Sequence, residues 1–486
     1  MQEPSEKDKN TSIFEKFLGS SSVIGLAQIT KSRSILRKLL WLAVLVSGLT
    51  FCAIECHKFM REFYKYPVVV NLEIENKGAL EFPAVTVCNL NSVRKSEYQK
   101  RFIKTITIDG ALDSPYPPSA TRGFFIPFRK VTSQCDEVEQ KSRNENDQND
   151  FYNTYFSLNK TARGSLGHQK ENFITSSTFN VKQISSFDNF QMVVKPRHGP
   201  CYTFNGRKTT SENMNVTSVR VSRNIGTLSG LTLVLNLELE EYIHRTKSVG
   251  ARIVIHSPDE FPDTEGEGIN ILPGVETSIA INKQTTKRLP FPYKDRCRDY
   301  KKQTIENVSI LNEKDCVIHC LQDLNFQRCN CTDPTLIFKK KRQKCDLENN
   351  EEVCCLDKVF EEMSSLNFEA CDCRIACSIT NYEMTTSMSL WPSPEEFQYN
   401  YQYYGLNYSS FRNTYTKLNV YYASLEETIY AQRPVYQNSE WYSHLGGQLG
   451  LWLGISLPAI FDCIETIALL IHHAIITHTR KSSSKE

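Results

Sequence analysis

The chain has 486 residues, 40% of them hydrophobic and 23% charged, a composition of folded protein with room for more than one domain. Its formal net charge of +2 supplies no single-sign field of the kind nucleic acid would recognise, so no nucleic-acid partner is expected. His168, His198, His244 and His256 are scattered, and no nucleophile, base and orienting group share one motif, which argues against an enzyme.

Residues 1–38 are polar and end in Lys31, Arg33, Arg37 and Lys38. The apolar run that follows (LLWLAVLVSGLTFCAI) predicts a first transmembrane helix over residues 39–61. A long polar stretch precedes it and no small-residue cleavage site follows, so it does not read as a signal peptide.

Residues 62–440 form the largest segment. Fourteen of the 17 cysteines lie between Cys88 and Cys377, most of them from Cys297 onward, and such density in one stretch points to an oxidising compartment. Asn-x-Ser/Thr signals at Asn159, Asn215, Asn307, Asn330 and Asn407 fall in the same segment, as an extracellular location requires, and glycosylation is expected at Asn159, Asn215, Asn307 and Asn407. Asn10 also matches but lies on the other side of the first run. Zinc binding by the Cys-x-Cys pairs is the competing reading and is set aside for an oxidising compartment, so no metal is expected. Residues 131–186 are rich in Asn, Ser and Lys and read as variable surface.

A second apolar run fills residues 445–471, within a transmembrane segment assigned to residues 441–474, and Arg480 and Lys481 in the 475–486 tail follow it. Basic residues thus flank both runs on one side, which places both termini in the cytoplasm. This second run carries Asp462 and Glu465, three residues apart and so on one helix face. Carboxylates at membrane depth are costly and face water or a bundle interior, where a ring of them attracts cations. Gly446, Gly447, Gly450 and Gly454 allow close backbone approach, and Pro458 crowds the carbonyl of Gly454, so a helix break is expected near Gly454, Ile455 and Ser456. Backbone freed in this way at membrane depth has to line water or be buried in protein, and its carbonyls can coordinate an ion.

Four segments carry a family resemblance: FPAVTVCN at residues 82–89, GPCYTFN at 199–205, LGGQLGLWLGIS at 445–456, and the acids Asp462 and Glu465. Together they resemble the degenerin and epithelial sodium channel family, which includes acid-sensing and peptide-gated channels. The resemblance implies an α+β membrane protein: two transmembrane helices and a disulfide-rich ectodomain with a β-sheet palm and β-ball and a helical finger and thumb, joined as a trimer around a pore. It implies a selectivity filter at Gly454, Ile455 and Ser456, inner-pore acids at Asp462 and Glu465, and a gate at Ser443, Gly447 and Gly450. It also implies disulfides Cys88–Cys201, Cys297–Cys377, Cys316–Cys373, Cys320–Cys371, Cys331–Cys345, and Cys329 with Cys354 or Cys355. Cys135 and the surplus member of that last pair are left to bond each other or stay free.

Other positions carry gating roles by the same resemblance. Gly25 belongs to a cytoplasmic motif in which Ile24 stands where relatives have histidine. Tyr66 matches a wrist tyrosine, with Tyr293 as its candidate partner, and Leu425 and Glu426 occupy a linker that governs desensitisation in relatives. His444 reads as a solvated turn residue. The His pair that acid-sensing members place after the first span is absent, with Tyr66, Pro67 and Val68 there instead; the acidic groups Glu238, Glu240 and Glu241, and Asp259 with Glu260, remain as candidate proton sites. The expected function is therefore a plasma-membrane, sodium-permeable, amiloride-sensitive channel of three identical or related subunits. It needs no cofactor beyond the permeant sodium ion, and an extracellular peptide is favoured over protons or force as the opening stimulus.

Overall fold

The computed structural model describes residues 28–29, 32, 34–102, 154–184, 189–207, 219–244, 246–300, 304–305, 308–309, 312–336, 342–347, 349–365 and 371–458, with 460–461, 464–465, 467–468 and 471. The main helices are α1 (Ile35–Phe63), α2 (Glu313–Cys329), α3 (Asn350–Ser365) and α4 (Asn438–Leu453). The strands that build the two large sheets are β1 (Val68–Asn76), β2 (Ala84–Asn89), β3 (Ile174–Phe179), β4 (Lys182–Gln183), β5 (Phe190–Lys195), β6 (Gly199–Phe204), β7 (Leu231–Asn236), β8 (Ala251–His256), β9 (Ile269–Ile271), β10 (Val275–Lys287), β11 (Ser378–Leu390) and β12 (Tyr415–Pro434). The chain divides into two compact units, one of Met1–Val70, Pro292–Lys294 and Gln432–Glu486, the other of Asn71–Phe291 and Asp295–Ala431.

In the first unit, α1 spans 29 residues with a mean hydropathy of 2.1 over its most apolar window, and among the described residues it is the one helix long and apolar enough to cross a membrane. It starts at Ile35, ahead of the expected residue 39, because Arg37 and Lys38 are good helix formers and extend the helix past the apolar run. Its inward stripe runs through Gly48, Cys52, Cys56 and Phe59, while Leu42, Val46, Leu49 and Ile54 stay exposed, as lipid-facing residues would. At Gly48 an added Cβ would stand 2.8 Å from the Trp452 carbonyl oxygen, so only glycine admits this approach of α1 to α4. The second apolar run does not form one long helix: α4 stops at Leu453 after 16 residues.

The second unit holds a seven-stranded sheet in the order β11-β10-β12-β7-β3-β4, with β1 added on β12, and a five-stranded sheet in the order β9-β8-β2-β6-β5. All six residues of β2 are buried, which explains why FPAVTVCN reads as a continuous apolar run rather than an alternating one. Along β10, Thr277, Ile279, Ile281 and Thr285 are buried at a spacing of two or four, the period of a strand with one face on the core. Side chains from both sheets, among them Phe82, Val85, Phe204, Leu233, Ile279, Leu418 and Tyr422, form one core.

Disulfides join Cys88 to Cys201, Cys297 to Cys377, Cys316 to Cys373, Cys320 to Cys371, Cys329 to Cys355, and Cys331 to Cys345. The alternative left open for Cys329 thus falls to Cys355. Cys354 is also disulfide-bonded, and Cys135 lies outside the described residues. Cys88 and Cys201 face each other directly across the β2–β6 ladder. Cys316–Cys373 and Cys320–Cys371 tie α2 to the segment before β11, Cys329–Cys355 ties α2 to α3, Cys331–Cys345 closes the connection between those helices, and Cys297–Cys377 ties the segment after β10 to the start of β11. The local cores here are small and covalent links substitute for buried apolar area.

Candidate functional site

The segment that carries the expected filter begins as α4. Its entry is fixed by the Glu440 carboxylate, which accepts the Gln437 amide at 3.2 Å. Its exit is fixed by Gly454, whose φ of +65° and ψ of +19° are left-handed. There the Gly454 amide donates to the Gly450 carbonyl at 3.1 Å and the Ile455 amide folds back to Leu449 at 3.3 Å. Because Ile455 turns to Leu449, the Leu451 carbonyl loses its helical donor. The Gly454 carbonyl receives none from Pro458, which has no amide hydrogen. Ile455 and Ser456 are non-helical, and the chain turns helical again at Leu457 and Pro458, with the Ile460 amide donating to Ser456 at 3.2 Å. The break is therefore set by the left-handed glycine. Pro458 falls in the first turn of the resumed helix, where a missing donor does little harm, so it is not the residue that forces the break.

The two faces of α4 differ in kind. On the α1 side, the Trp441 indole N–H donates to Met60 Sδ at 2.8 Å, His444 stacks on Phe59 with ring centroids 3.9 Å apart, and Trp452 stacks on Phe51 at 5.0 Å. His444 is thus a packed helical residue and not a solvated turn histidine, since α4 already spans its position. On the opposite side, Ser443, Gly446, Gly447 and Gly450 are exposed, and a Cβ added at Gly446 or Gly447 would meet nothing within 4 Å. Among the described residues, the small residues of α4 are consequently unused by packing, and the close approach is served by Gly48. Glu465 is exposed on the resumed helix; Asp462 and Gly25 lie outside the described residues.

Tyr66 and Tyr293 meet edge-to-face with centroids 5.7 Å apart, and Tyr66 adopts a left-handed φ of +49° to do so. In the second unit, Leu425 and Glu426 sit in a bulge. The parallel β10–β12 ladder pairs Ile281 with Tyr422 and resumes at Lys283 with Glu427, leaving residues 423–426 opposite Asn282 alone. Glu427, only 4% exposed, closes the bulge. Its carboxylate accepts Thr285 Oγ1 at 2.7 Å and pairs with Lys283 at 3.1 Å and with Lys77. Burial opposes its charge, but these three donors outweigh burial and bring its pKa down to about 2.

The acidic groups singled out in the sequence go to separate places. Glu238 pairs with buried His168 at 2.6 Å, Glu241 accepts the Ser96 amide at 2.8 Å, and Asp259 pairs with Arg207 at 2.9 Å. These contacts make them less solvated than a charge run suggests. Glu260 lines a cavity of about 890 Å³ together with Lys195, Asp263, Asp357, Leu336 and Phe360. Burial there lowers the Lys195 pKa to about 8 against the pull of Asp263, Glu265 and Asp315. Of the glycosylation signals, Asn159 and Asn407 are exposed helix N-caps, their Oδ1 atoms accepting the Ala162 and Ser410 amides at 2.8 and 2.7 Å. Asn330 is the exposed left-handed cap of α2, and Asn215 and Asn307 lie outside the described residues. Sequence reasoning missed Gly48, Lys77, Lys283 and Glu427. Only Gly48 carried a local signal, as the lone glycine of an apolar run.

Comparison with known proteins bears on the whole chain. The family model described as "Amiloride-sensitive sodium channel" matches residues 17–466. The epithelial sodium channel subunit alpha of Xenopus laevis is 27% identical over 520 residues, which cover 94% of this chain and 81% of that protein. Acid-sensing ion channel 4-B of Danio rerio is 26% identical, covering 93% of this chain and 75% of that protein. The epithelial sodium channel subunit gamma of Pan troglodytes is 26% identical, covering 95% and 80%. A cryo-EM structure of a proton-activated chloride channel aligns with a TM-score of only 0.30 at 6% identity, covering 89% of this chain and 98% of that one.

Proposed function

Since the chain belongs to the amiloride-sensitive sodium channel family, we propose that it is the pore-forming subunit of a trimeric, amiloride-sensitive cation channel of the plasma membrane. Both termini are cytoplasmic and the ectodomain is glycosylated in this reading. The observation that carries it is α4: an exposed stripe of Ser443, Gly446, Gly447 and Gly450, unpacked by the described residues of this chain, leads directly into a left-handed break at Gly454. Two further subunits, identical or related, would complete the pore against that stripe, with Ser443, Gly447 and Gly450 at the gate. Small side chains let three helices approach closely enough to close, and carbonyls freed near Gly454, Ile455 and Ser456 replace part of the hydration shell of sodium. Asp462 and Glu465 concentrate cations below them. The Tyr66–Tyr293 contact couples the first span to the segment before Cys297, and Gly25 contributes to the cytoplasmic exit.

The proposed opening stimulus is an extracellular ligand, a short amidated peptide, because the acid-sensing His pair is missing. Protons are the second reading, and it is favoured by Glu260 in a cavity shared with Asp263 and Asp357. Currents from oocytes expressing the chain test both readings, with reversal potentials taken in sodium, potassium and calcium. Amiloride-blockable sodium current evoked by a peptide is the expected result. Current evoked by acid and by no peptide overturns the stimulus, and surface-expressed protein without any current overturns the channel.

A further inference from the structure

Lys195 is the last residue of β5 and is only 7% exposed, although it carries an amine that water would normally keep charged. It lines the cavity of about 890 Å³ whose walls include Leu321, Leu336, Leu356, Phe360 and Tyr382. The acids that attract it most are Asp263 and Glu265, and both are engaged elsewhere: Asp263 with Lys314 at 2.6 Å and Glu265 with Arg197 at 3.4 Å. Among the described residues, the Lys195 side chain accordingly has neither a hydrogen bond nor an ion pair. The His256 imidazole on the same wall is bonded to Thr86 and to the Ser257 carbonyl, each at 2.9 Å. A buried charge without a partner costs stability. An amine in such a place gives up its proton readily and becomes a nucleophile, and burial brings its pKa to about 8.

We infer that Lys195 is a covalent capture site for an apolar aldehyde, held with its carbonyl at the Lys195 nitrogen and its chain against Leu321, Leu356 and Phe360. The neutral nitrogen adds its lone pair to the carbonyl carbon, the carbonyl oxygen takes up a proton, and the carbinolamine then loses water to leave a protonated imine. Ammonium plus aldehyde thus gives iminium plus water, with no redox partner and no change of charge. The field of Asp263, Glu265 and Asp315 that favours the ammonium therefore favours the product as well. The same field opposes the competing carbamate from carbon dioxide, which would turn a positive group negative, and it opposes an aldehyde that is itself an anion. Phe261 and Met384 line the same cavity and are 41% and 37% exposed, so the cavity reaches solvent at apolar side chains. This site is independent of the channel reading.

The test uses the purified full chain, with hexanal as the probe and sodium cyanoborohydride to fix the imine as a secondary amine that peptide mass spectrometry locates. At neutral pH, Lys195 is expected to be modified at least about tenfold more than the exposed Lys182 and Lys247, because a far larger share of its amine is neutral. Glyoxylate, an anionic aldehyde, should modify Lys195 at least about tenfold less than hexanal does. Lys195→Arg should abolish the adduct at this position and leave modification of Lys182 and Lys247 unchanged. The comparison among lysines is made within the unmodified chain, so it does not depend on any variant folding. Modification of Lys195 no greater than that of the two exposed lysines overturns the capture site. Equal modification by hexanal and glyoxylate overturns its preference for an apolar aldehyde.

Discussion

Replacing Gly454 by alanine tests the proposed filter most directly, because the residue's conformation and not its contacts carries the argument. A non-glycine residue at a left-handed φ of +65° costs about 1–2 kcal/mol, which shifts the balance between broken and continuous helix by about 5- to 30-fold in each chain. The continuous form returns the Ile455 amide from Leu449 to Leu451 and withdraws a carbonyl from the conduction path. Gly450→Ala is the matched control. Gly450 lies inside α4, where an added Cβ would meet only the Ile455 carbonyl oxygen at 3.9 Å, so alanine there stabilises the helix by about 0.5–1 kcal/mol and leaves the break in place. Reversal potentials in sodium against potassium, with surface biotinylation to normalise expression, separate the two. Gly454→Ala should move the reversal potential toward a non-selective value and weaken amiloride block, while Gly450→Ala should leave the reversal potential unchanged. An unmodified reversal potential and block in well-expressed Gly454→Ala would refute the link between the left-handed turn and selectivity.

Three further outcomes follow from packing and titration. Gly48→Leu drives a side chain into the Trp452 carbonyl at 2.8 Å, costing about 1–3 kcal/mol, and should lower the thermal midpoint of the purified chain and its surface level. Removing the buried Cys88–Cys201 link with Cys88→Ala and Cys201→Ala, which frees a loop of 113 residues, should cost about 2–5 kcal/mol in non-reducing thermal unfolding. Lys195→Met should stabilise the protein by on the order of 3 kcal/mol at pH 7, because burial penalises the Lys195 ammonium and brings its pKa from 10.5 to about 8. With the folded pKa lowered, the unmodified protein gains stability as pH rises from 8 to 10.5, where the unfolded chain holds more protons. The advantage of the variant should therefore shrink across that window and vanish above it in calorimetry at graded pH; a constant advantage would show that charge burial is not its cause.

The membrane run, the all-buried strand at residues 84–89 and the glycine at the break are legible in sequence because each is a local property: continuous hydrophobicity, or one residue type that alone tolerates a backbone angle. The broken helix follows from that logic, although the residue that sets it is Gly454 and Pro458 only follows. Disulfide partners are different. Six cysteines already allow fifteen pairings, and nothing local distinguishes Cys354 from Cys355; the face of α3 that meets α2 makes the choice. The same holds for charge. Glu427 looks like any acid in a polar stretch, and only the β10–β12 register brings Lys283 and Thr285 to it, while the turn after β1 brings Lys77 from 350 residues away. The amino-acid order thus determined the elements and their breaks, which depend on neighbours along the chain. The tertiary structure alone decided which face of α4 is packed against Phe51 and Phe59 and which is left open, because that choice depends on a helix nearly four hundred residues earlier.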